Sequence, residues 1–138
     1  MRLTIEKVMI LKTLEIFKQS SKNDLAQLAP FLKEISVKTD EKIISKGEMG
    51  NALYIIIQGQ VKVHDGDKHL AIFHEREVFG EMAVLDSEVR SADITALEET
   101  DLFQLDGESL REFIASHSNV AMDIIKILCE RLRQMKKA

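Results

Sequence analysis

The stretch from Phe79 to Ala92 reads FGEMAVLDSEVRSA, and it combines a glycine, a glutamate, a short apolar run and an arginine followed by two small residues. Gly80 has no side chain, so the backbone can approach a ligand closely there. The run from Met82 to Leu85 is helix-compatible, and free amides at the start of a helical turn can point at an anion. Arg90 adds a planar set of donors that matches phosphate oxygens. Glu81 only accepts hydrogen bonds when ionised, so beside a phosphate it needs another partner, such as a ribose hydroxyl or Arg90 itself. The stretch therefore predicts a site for a sugar phosphate.

A second motif lies upstream, where the segment from Gly47 to Val63 reads GEMGNALYIIIQGQVKV. The two motifs together resemble the cyclic nucleotide-binding domain family. This family includes the sensor halves of catabolite-activator-type regulators, the regulatory subunits of cyclic-AMP-dependent kinase and the cyclic-nucleotide-gated channels. Arg90 follows Glu81 by 90 − 81 = 9 positions, as in the kinase regulatory subunits. The matching cassette residues are Phe79, Gly80, Glu81, Ala83, Arg90 and Ala92, and the resemblance extends from about Ile5 to Leu132.

The resemblance implies a role for each cassette residue. Arg90 would bind the exocyclic oxygens of a cyclic phosphate, and Glu81 would accept from the ribose 2′-hydroxyl. The amides of Met82 and Ala83 would complete the phosphate site. The expected nucleotide-binding set is Gly80, Glu81, Met82, Ala83, Arg90, Ser91 and Ala92.

The purine base needs an apolar surface and a lid. By resemblance, Val63, Ala71 and Phe73 line the barrel beside the base, although plain core packing explains these three residues equally well. Lid candidates on the last helix are Leu128, Arg131, Leu132 and Met135.

Ser91 bears on which cyclic nucleotide is bound, and Asp93 bears on how tightly it is bound. A serine directly after the arginine resembles the catabolite-activator-type proteins, which bind cyclic AMP, whereas members that prefer cyclic GMP often place threonine there. The resemblance thus favours cyclic AMP and leaves cyclic GMP open. Asp93 departs from the usual apolar residue or threonine. Strand alternation puts it on the same face as Ser91, where its charge would weaken the binding of an anion.

Composition limits the class of protein. The chain has 138 residues, with 45% hydrophobic and 30% charged residues, which suits one soluble domain with a real core. A net charge of −4 argues against direct nucleic-acid binding. No run approaches the roughly 20 apolar residues of a membrane helix, and the charged N-terminal segment is unlike a secretory signal. The single cysteine, Cys129, suits a reducing cytoplasm, where we expect the protein to act.

The order of sequence patterns predicts a mainly β fold with flanking helices. Apolar residues recur at helical intervals from Thr4 to Phe17, and a second short helix is expected from Asp24 to Phe31. Short strands with turns between them follow, and about eight of them predict an antiparallel β jelly roll, or double-stranded β-helix. Residues 1–138 are expected to form one domain, with an N-terminal helical segment 1–33, a jelly roll 34–106 that carries the cassette 79–92, and C-terminal hinge or lid helices 107–138. The strand candidates are ISVKT, KIIS, ALYIIIQ, QVKVHD, KHLAIF, REVF, SADITAL and DLFQLD, and the glycines Gly47, Gly50 and Gly59 are interpreted as structural.

The last segment predicts one helix from Glu108 to Ser116 and a longer helix with Asn119 as N-cap, running to about Lys137. On the longer helix an apolar stripe repeats at steps of four and three. We expect this stripe to lie against the barrel, with pairing to a second copy as the alternative; in the family both can hold. The stripe consists of Ala121, Ile125, Leu128, Leu132 and Met135.

Enzymatic chemistry has weak support in the sequence. His64, His69 and His74 raise the possibility of a metal-dependent jelly-roll enzyme, but their spacing of five lacks the His-x-His pair of such enzymes, and solvated strand ends explain them better. Cys129 has no histidine partner nearby and is interpreted as a packing residue. The sequence therefore predicts no catalytic residue, no metal and no cofactor.

The function predicted from the sequence is a non-enzymatic sensor. It would bind a cyclic nucleotide and change the position of its C-terminal helix on binding. The alternative is a protein-interaction module with a vestigial pocket. The helix-turn-helix module of related transcription factors is not expected within these 138 residues, and the sequence does not indicate an output partner.

Overall fold

The computed structural model describes residues 3–80 and 89–136. The chain forms two compact units, one built from Met1–Pro30 and Leu110–Ala138 and the other from Phe31–Ser109. The first unit is helical and the second contains all the described strands. This confirms the predicted fold class of a mainly β protein with flanking helices.

The β unit consists of two four-stranded antiparallel sheets. One sheet has the order β1-β8-β3-β6 and the other has the order β2-β7-β4-β5. Each of the eight predicted strand segments overlaps one strand, although β1 begins two residues before its segment and β8 begins one residue before its segment. The strands are β1 (Lys33–Val37), β2 (Lys42–Ile44), β3 (Ala52–Gln58), β4 (Val61–Asp65), β5 (Lys68–Phe73), β6 (Val78–Phe79), β7 (Asp93–Ala96) and β8 (Thr100–Asp106).

Strand β3 is the centre of this unit, because its first six residues are buried and it pairs with both β6 and β8. Alternate β3 side chains enter a core cluster. Each fully buried apolar side chain contributes on the order of 2 kcal/mol to folding, so this cluster stabilises the packing of the two sheets. Its buried members are Val37, Ile44, Ala52, Tyr54, Ile56, Val61, Phe79, Ile94, Ala96 and Leu102.

Gly59 makes the tight turn between β3 and β4. Its φ is +112°, and a Cβ built there would lie 2.4 Å from Thr100 Oγ1 and 2.8 Å from Thr100 Cα. A main-chain atom cannot move aside as a flexible side chain can, so no larger residue fits at this position. The structural role predicted for Gly59 is confirmed by this geometry.

The helical unit begins with α1 (Thr4–Thr13), followed by a 3₁₀ turn at Glu15–Phe17 and by α2 (Lys22–Leu28). Ser21 caps α2, because its Oγ accepts a hydrogen bond from the Asp24 amide at 3.1 Å. Two more helices, α3 (Gly107–Ser116) and α4 (Ser118–Lys136), end the chain. Among the described residues, no helix is both long enough and apolar enough to cross a bilayer.

The start of α4 differs from the prediction. The helix begins at Ser118, so Asn119 lies inside its first turn and is not the N-cap. The Asn119 side chain instead donates to Asp24 Oδ2 at 2.7 Å, and this bond ties the start of α4 to α2.

The buried face of α4 also differs from the prediction. Val120, Ile124 and Ile127 are the buried apolar residues, whereas most of the predicted stripe is exposed. The expectation that this stripe hides against the barrel is therefore wrong. The reason is that α4 carries two apolar stripes with the same helical spacing, one beginning at Val120 and the other at Ala121. Periodicity predicts both stripes equally, and the structure buries the one that begins at Val120. The exposed fractions are 49% for Ile125, 41% for Leu128, 57% for Leu132 and 74% for Met135.

Candidate functional site

Arg90 is a buried arginine at the entry to β7, with only 7% of its surface exposed. Its Nη1 donates to the Gly80 carbonyl at 2.8 Å, and its Nη2 donates to the Ala52 carbonyl. The guanidinium thus joins the end of β6 to the start of β3. The guanidinium is therefore buried and oriented by main-chain carbonyl groups.

The main chain of Arg90 is fixed by the segment that contains the second sequence motif. The Arg90 amide donates to the Glu48 carbonyl at 2.7 Å, and the Arg90 carbonyl accepts from the Gly47 amide at 2.9 Å. A bridge between Met49 and Val89 extends this pairing by one step. The two motifs that carry the family resemblance are therefore hydrogen-bonded to each other.

The position of the Arg90 side chain requires a glycine at residue 80. Its φ is +85°, a region that favours glycine. A Cβ at this position would lie 2.7 Å from Arg90 Nη1 and 3.1 Å from the Ala52 carbonyl oxygen. A side chain at residue 80 would thus push the guanidinium out of its place.

The rest of the predicted phosphate set is only partly described. Glu81, Met82 and Ala83 lie outside the described residues. Ser91 is exposed and Ala92 is half-buried, and both belong to a bend that precedes β7. Their contacts with a nucleotide stay a prediction.

Asp93 lies on the outer face of its sheet. It is opposite His64 in the register, while its neighbour Ile94 is opposite Val63. Opposite residues of an antiparallel pair share a face and successive residues alternate, so Asp93 points away from the core that contains Ile94. Because β7 begins at Asp93, strand alternation does not extend back to Ser91. The expectation that the two residues share a face through strand alternation therefore has no basis in the structure.

The Asp93 carboxylate has its own partners. It accepts a hydrogen bond from the Lys46 amide at 2.8 Å and lies 3.5 Å from Lys42 Nζ. The Lys46 amide is the main cause that holds the pKa of Asp93 below its ordinary value of 3.8; burial opposes this effect, and Lys42 and the Gly66 amide add to it. The neighbours on the outer face thus stabilise the ionised form of Asp93.

The residues expected to contact the base form part of the inner face of the β2-β7-β4-β5 sheet. Val63 is paired with Ala71 in the register, and both are half-buried. Val63 and Phe73 pack against the core cluster. Phe73 also contacts Phe79, with ring centroids 6.4 Å apart. The apolar surface is therefore continuous with the residue that precedes Gly80, while its contact with a base stays a prediction.

A small cleft of about 190 Å³ borders Arg90. It is smaller than the ~300 Å³ at which pockets for drug-sized ligands begin, so we do not assign a nucleotide to it. Tyr54 and Gln104 line it together, and Gln104 Nε2 donates to the Tyr54 hydroxyl at 3.1 Å.

The lid candidates lie on α4. Leu128 and Leu132 are exposed. Arg131 Nε donates to Glu15 Oε1 at 2.7 Å, and this bond lowers the pKa of Glu15. The role of these three α4 residues as a lid stays a prediction.

The histidines do not form a metal site within the part of the chain that the structure describes, where no three metal-binding side chains are grouped. His64 Nε2 lies 2.8 Å from Thr95 Oγ1, and its Nδ1 lies 2.8 Å from the Gly66 carbonyl. His64 is opposite His69 at the hairpin end of β4 and β5. These contacts agree with strand-end histidines and give no support to the metal-enzyme alternative.

Sequence reasoning missed the residues that hold Arg90. Its partners are the carbonyl groups of Gly80, Ala52 and Glu48 and the amide of Gly47. Main-chain groups have no residue-type signal in a sequence. Only the glycines, which permit close approach and unusual φ values, could have pointed to these contacts.

Comparison with known proteins identifies the same region. Residues 34–117 match the family model described as "Cyclic nucleotide-binding domain". The chain is 29% identical over 130 residues to the CRP-like cAMP-activated global transcriptional regulator of Mycobacterium tuberculosis, covering 91% of this chain and 58% of the regulator. It is 36% identical over 97 residues to the cyclic AMP receptor protein of Thermus thermophilus, covering 67% of this chain and 45% of that protein.

Among solved structures, the N-terminal domain of a transcriptional regulator from Streptomyces coelicolor A3(2) superposes with a TM-score of 0.84. Its sequence identity is 25%, and the match covers 94% of this chain and 96% of that one. The chain spans about half the length of the two regulators above, and nearly the whole of this isolated domain.

Proposed function

This chain belongs to the cyclic nucleotide-binding domain family, and from that membership we propose that it is a sensor that binds a cyclic purine nucleotide, cyclic AMP first, without converting it. The observation that carries the proposal is the placement of Arg90. A buried guanidinium is costly unless its donors are engaged, and here two carbonyls orient it beside a glycine that leaves room for a ligand. The relatives named above are regulators, which supports a sensing role.

The chemistry of binding follows from the donor set. A guanidinium has five N–H groups in a fixed planar arrangement, which suits the two exocyclic oxygens of a cyclic phosphate. Gly80 and Ala52 hold the group in one orientation before a ligand arrives. A pre-oriented donor loses less conformational entropy when the phosphate binds. In this proposal Glu81 binds the ribose and the surface of Val63, Ala71 and Phe73 contacts the base.

Nucleotide binding would change the position of α4. We propose that the protein acts as a homodimer that pairs through this helix. A ligand shifts a conformational equilibrium only by its differential affinity for the two states. The exposed α4 stripe supports pairing with a second copy, because large apolar patches on a soluble protein often mark an interface. The output partner is not specified by this proposal.

Calorimetric titration of the purified chain with cyclic AMP and, separately, cyclic GMP tests the proposal. We expect binding at about 1 μM or tighter, which corresponds to about −8 kcal/mol, with cyclic AMP preferred. Arg90→Ala should abolish the heat, and Arg90→Lys, which keeps the charge but not the planar fork, should weaken binding. Arg133→Ala, an exposed arginine on α4, is the matched control and should bind normally.

Absence of heat and of thermal stabilisation with both nucleotides would contradict the proposal. It would favour the protein-interaction module, with the exposed α4 stripe as the surface to examine. Equal binding by wild type and Arg90→Ala would contradict the role given to Arg90 while leaving nucleotide binding intact.

A further inference from the structure

Asp93 is a charged residue three positions after Arg90, and its side chain is only 14% exposed. Its carboxylate lies on the outer face of the sheet, away from the core. Its partners are the amides of Lys46 and Gly66 and the ammonium group of Lys42. A carboxylate placed in this way calls for an explanation other than direct ligand contact.

Three successive residues connect Asp93 to the main chain of Arg90. The Lys46 amide donates to the Asp93 carboxylate, the Gly47 amide donates to the Arg90 carbonyl, and the Glu48 carbonyl accepts from the Arg90 amide. The corresponding distances are 2.8, 2.9 and 2.7 Å. Gly47 has a φ of +89°, so the turn that allows all three bonds needs a glycine. The segment Lys46–Glu48 thus forms a clasp on Arg90, and Asp93 holds its first residue.

Neighbouring charged groups fix the same segment. Lys46 Nζ forms an ion pair with Asp65 at 2.9 Å, which ties the clasp to the β4–β5 hairpin. Lys42 approaches Asp93 from β2, and His64 lies opposite Asp93 on β4. The carboxylate therefore has cationic and amide neighbours on β2, the clasp and the hairpin. A charge-assisted hydrogen bond to an amide is stronger than a neutral one, so Asp93 is suited to hold the clasp.

We propose that Asp93 is a positioning residue of the phosphate site, which holds the Lys46–Glu48 clasp and through it the main chain of Arg90. The inference rests on the proposed nucleotide binding. It gives a positive role to a residue whose charge, judged from the sequence alone, was expected to weaken binding. The role is indirect, because Asp93 acts on the ligand only through the clasp and Arg90.

The test compares three variants by nucleotide titration and by NMR of the ligand-free protein. Asp93→Val places a strand-favouring residue of similar size in β7 and removes both acceptor oxygens. Asp93→Asn keeps one acceptor for the Lys46 amide and removes the charge. Asp67→Asn removes the same charge from an exposed position in the nearby β4–β5 turn and is the matched control.

We expect Asp93→Val to bind cyclic AMP about fivefold to tenfold more weakly, which is less than the full loss of a hydrogen bond to a charged group would give, because Asp93 acts on the ligand only through the clasp. Asp93→Asn should recover most of this loss, and Asp67→Asn should bind as wild type does. In the ligand-free protein, the Arg90 and Gly47 amides should exchange with solvent faster in Asp93→Val than in the control.

The NMR titration supplies a signature that a purely structural role would not give. The Lys46 amide shift should follow the ionisation of Asp93, with a midpoint below the ordinary value of 3.8, and this titration should be absent in Asp93→Asn. Circular dichroism checks that each variant is folded. If Asp93→Val unfolds, the comparison of Asp93→Asn with Asp67→Asn in the amide titration still decides whether the Asp93 carboxylate contacts the Lys46 amide.

The two proposals fail in different ways. If wild type does not bind a nucleotide, the proposed function is wrong, and the exchange rates of the Arg90 and Gly47 amides still decide whether Asp93 holds the clasp. If wild type binds and Asp93→Val binds equally well or more tightly, the inference about Asp93 is overturned and the function stands. Unchanged amide exchange in Asp93→Val overturns the inference in either case.

Discussion

Replacing Arg90 by alanine should destabilise the ligand-free protein as well as abolish binding. In the structure the guanidinium is buried and donates to two main-chain carbonyls, of Gly80 and Ala52. Alanine removes both bonds. The variant therefore perturbs the junction of β3 and β6 before any nucleotide is added.

The expected loss in free energy of unfolding follows from the two hydrogen bonds that the Arg90 side chain donates. A hydrogen bond to a charged group contributes roughly 1.5–3 kcal/mol, and a buried carbonyl left without a donor costs a similar amount. Because the alanine variant leaves space that water can enter, we take the lower value for each bond and expect a loss of about 3 kcal/mol. For a chain of this length this corresponds to a fall in Tm of about 10 °C. Arg90→Lys should lose about half as much, since an ammonium group cannot match the planar fork.

Urea unfolding followed by far-UV circular dichroism measures this effect, because the chain has no tryptophan for fluorescence. The protein should be unfolded and refolded before the experiment to remove any bound nucleotide. Arg133→Ala, an exposed substitution on α4, should change the free energy of unfolding by less than about 0.5 kcal/mol.

A free energy of unfolding for Arg90→Ala within the range of this control would refute the reasoning. The two carbonyl contacts would then contribute no net stability. The outcome also decides how titration data are interpreted. If the variant is destabilised but folded at the temperature of titration, loss of heat reports on the ligand contact and not on unfolding.

Two further predictions follow from the fold. Gly59→Ala should destabilise the protein by more than about 3 kcal/mol and shift the urea midpoint accordingly, because a Cβ would meet the Thr100 main chain; a shift no larger than that of an exposed alanine substitution would contradict the geometry. Leu132→Glu should shift a dimer towards monomer in sedimentation experiments, because it places a charge in the exposed α4 stripe. The control Lys126→Glu lies on another part of the helix surface and should leave the dimer intact; dimers of equal strength in both variants would place the interface elsewhere.

The strands could be predicted from the sequence because local signals agree there. The segment from Ala52 to Gln58 is a continuous run of strand-forming residues with Gly59 at its end, and the structure has β3 at the same positions. The segment QVKVHD was likewise predicted as a strand, and it contains β4 (Val61–Asp65). Where the apolar pattern and the turn residues indicate the same element, the sequence is sufficient to predict that element.

The face of α4 could not be predicted in the same way. Val120, Ile124 and Ile127 have the same helical spacing as Ala121, Ile125 and Leu128, so periodicity alone does not show which of the two stripes is buried. The choice is made by tertiary packing of the helical unit. A helix with two apolar stripes buries one and leaves the other for a different partner.

The site was only partly accessible to sequence reasoning for a different reason. The importance of Arg90 could be predicted from its neighbours in sequence, but its hydrogen-bond partners are main-chain groups up to 90 − 47 = 43 positions away. The charge of Asp93 was evident from its residue type. The face of the sheet on which its side chain lies, however, depends on where β7 begins. Long-range contacts with main-chain atoms and the start of a strand have no local signal.

The bond between the Arg90 side chain and the Gly80 carbonyl has a consequence for chain length. It closes a ring around the residues between them, at an entropic cost of about 2 kcal/mol for ten residues. This cost rises by only about 0.6 kcal/mol when such a loop doubles in length. Insertions or deletions between these two residues therefore cost little free energy of folding, whereas a substitution of Arg90 removes the bond itself. A protein built in this way can vary the number of residues between Gly80 and Arg90 over evolution and keep the bond that joins them.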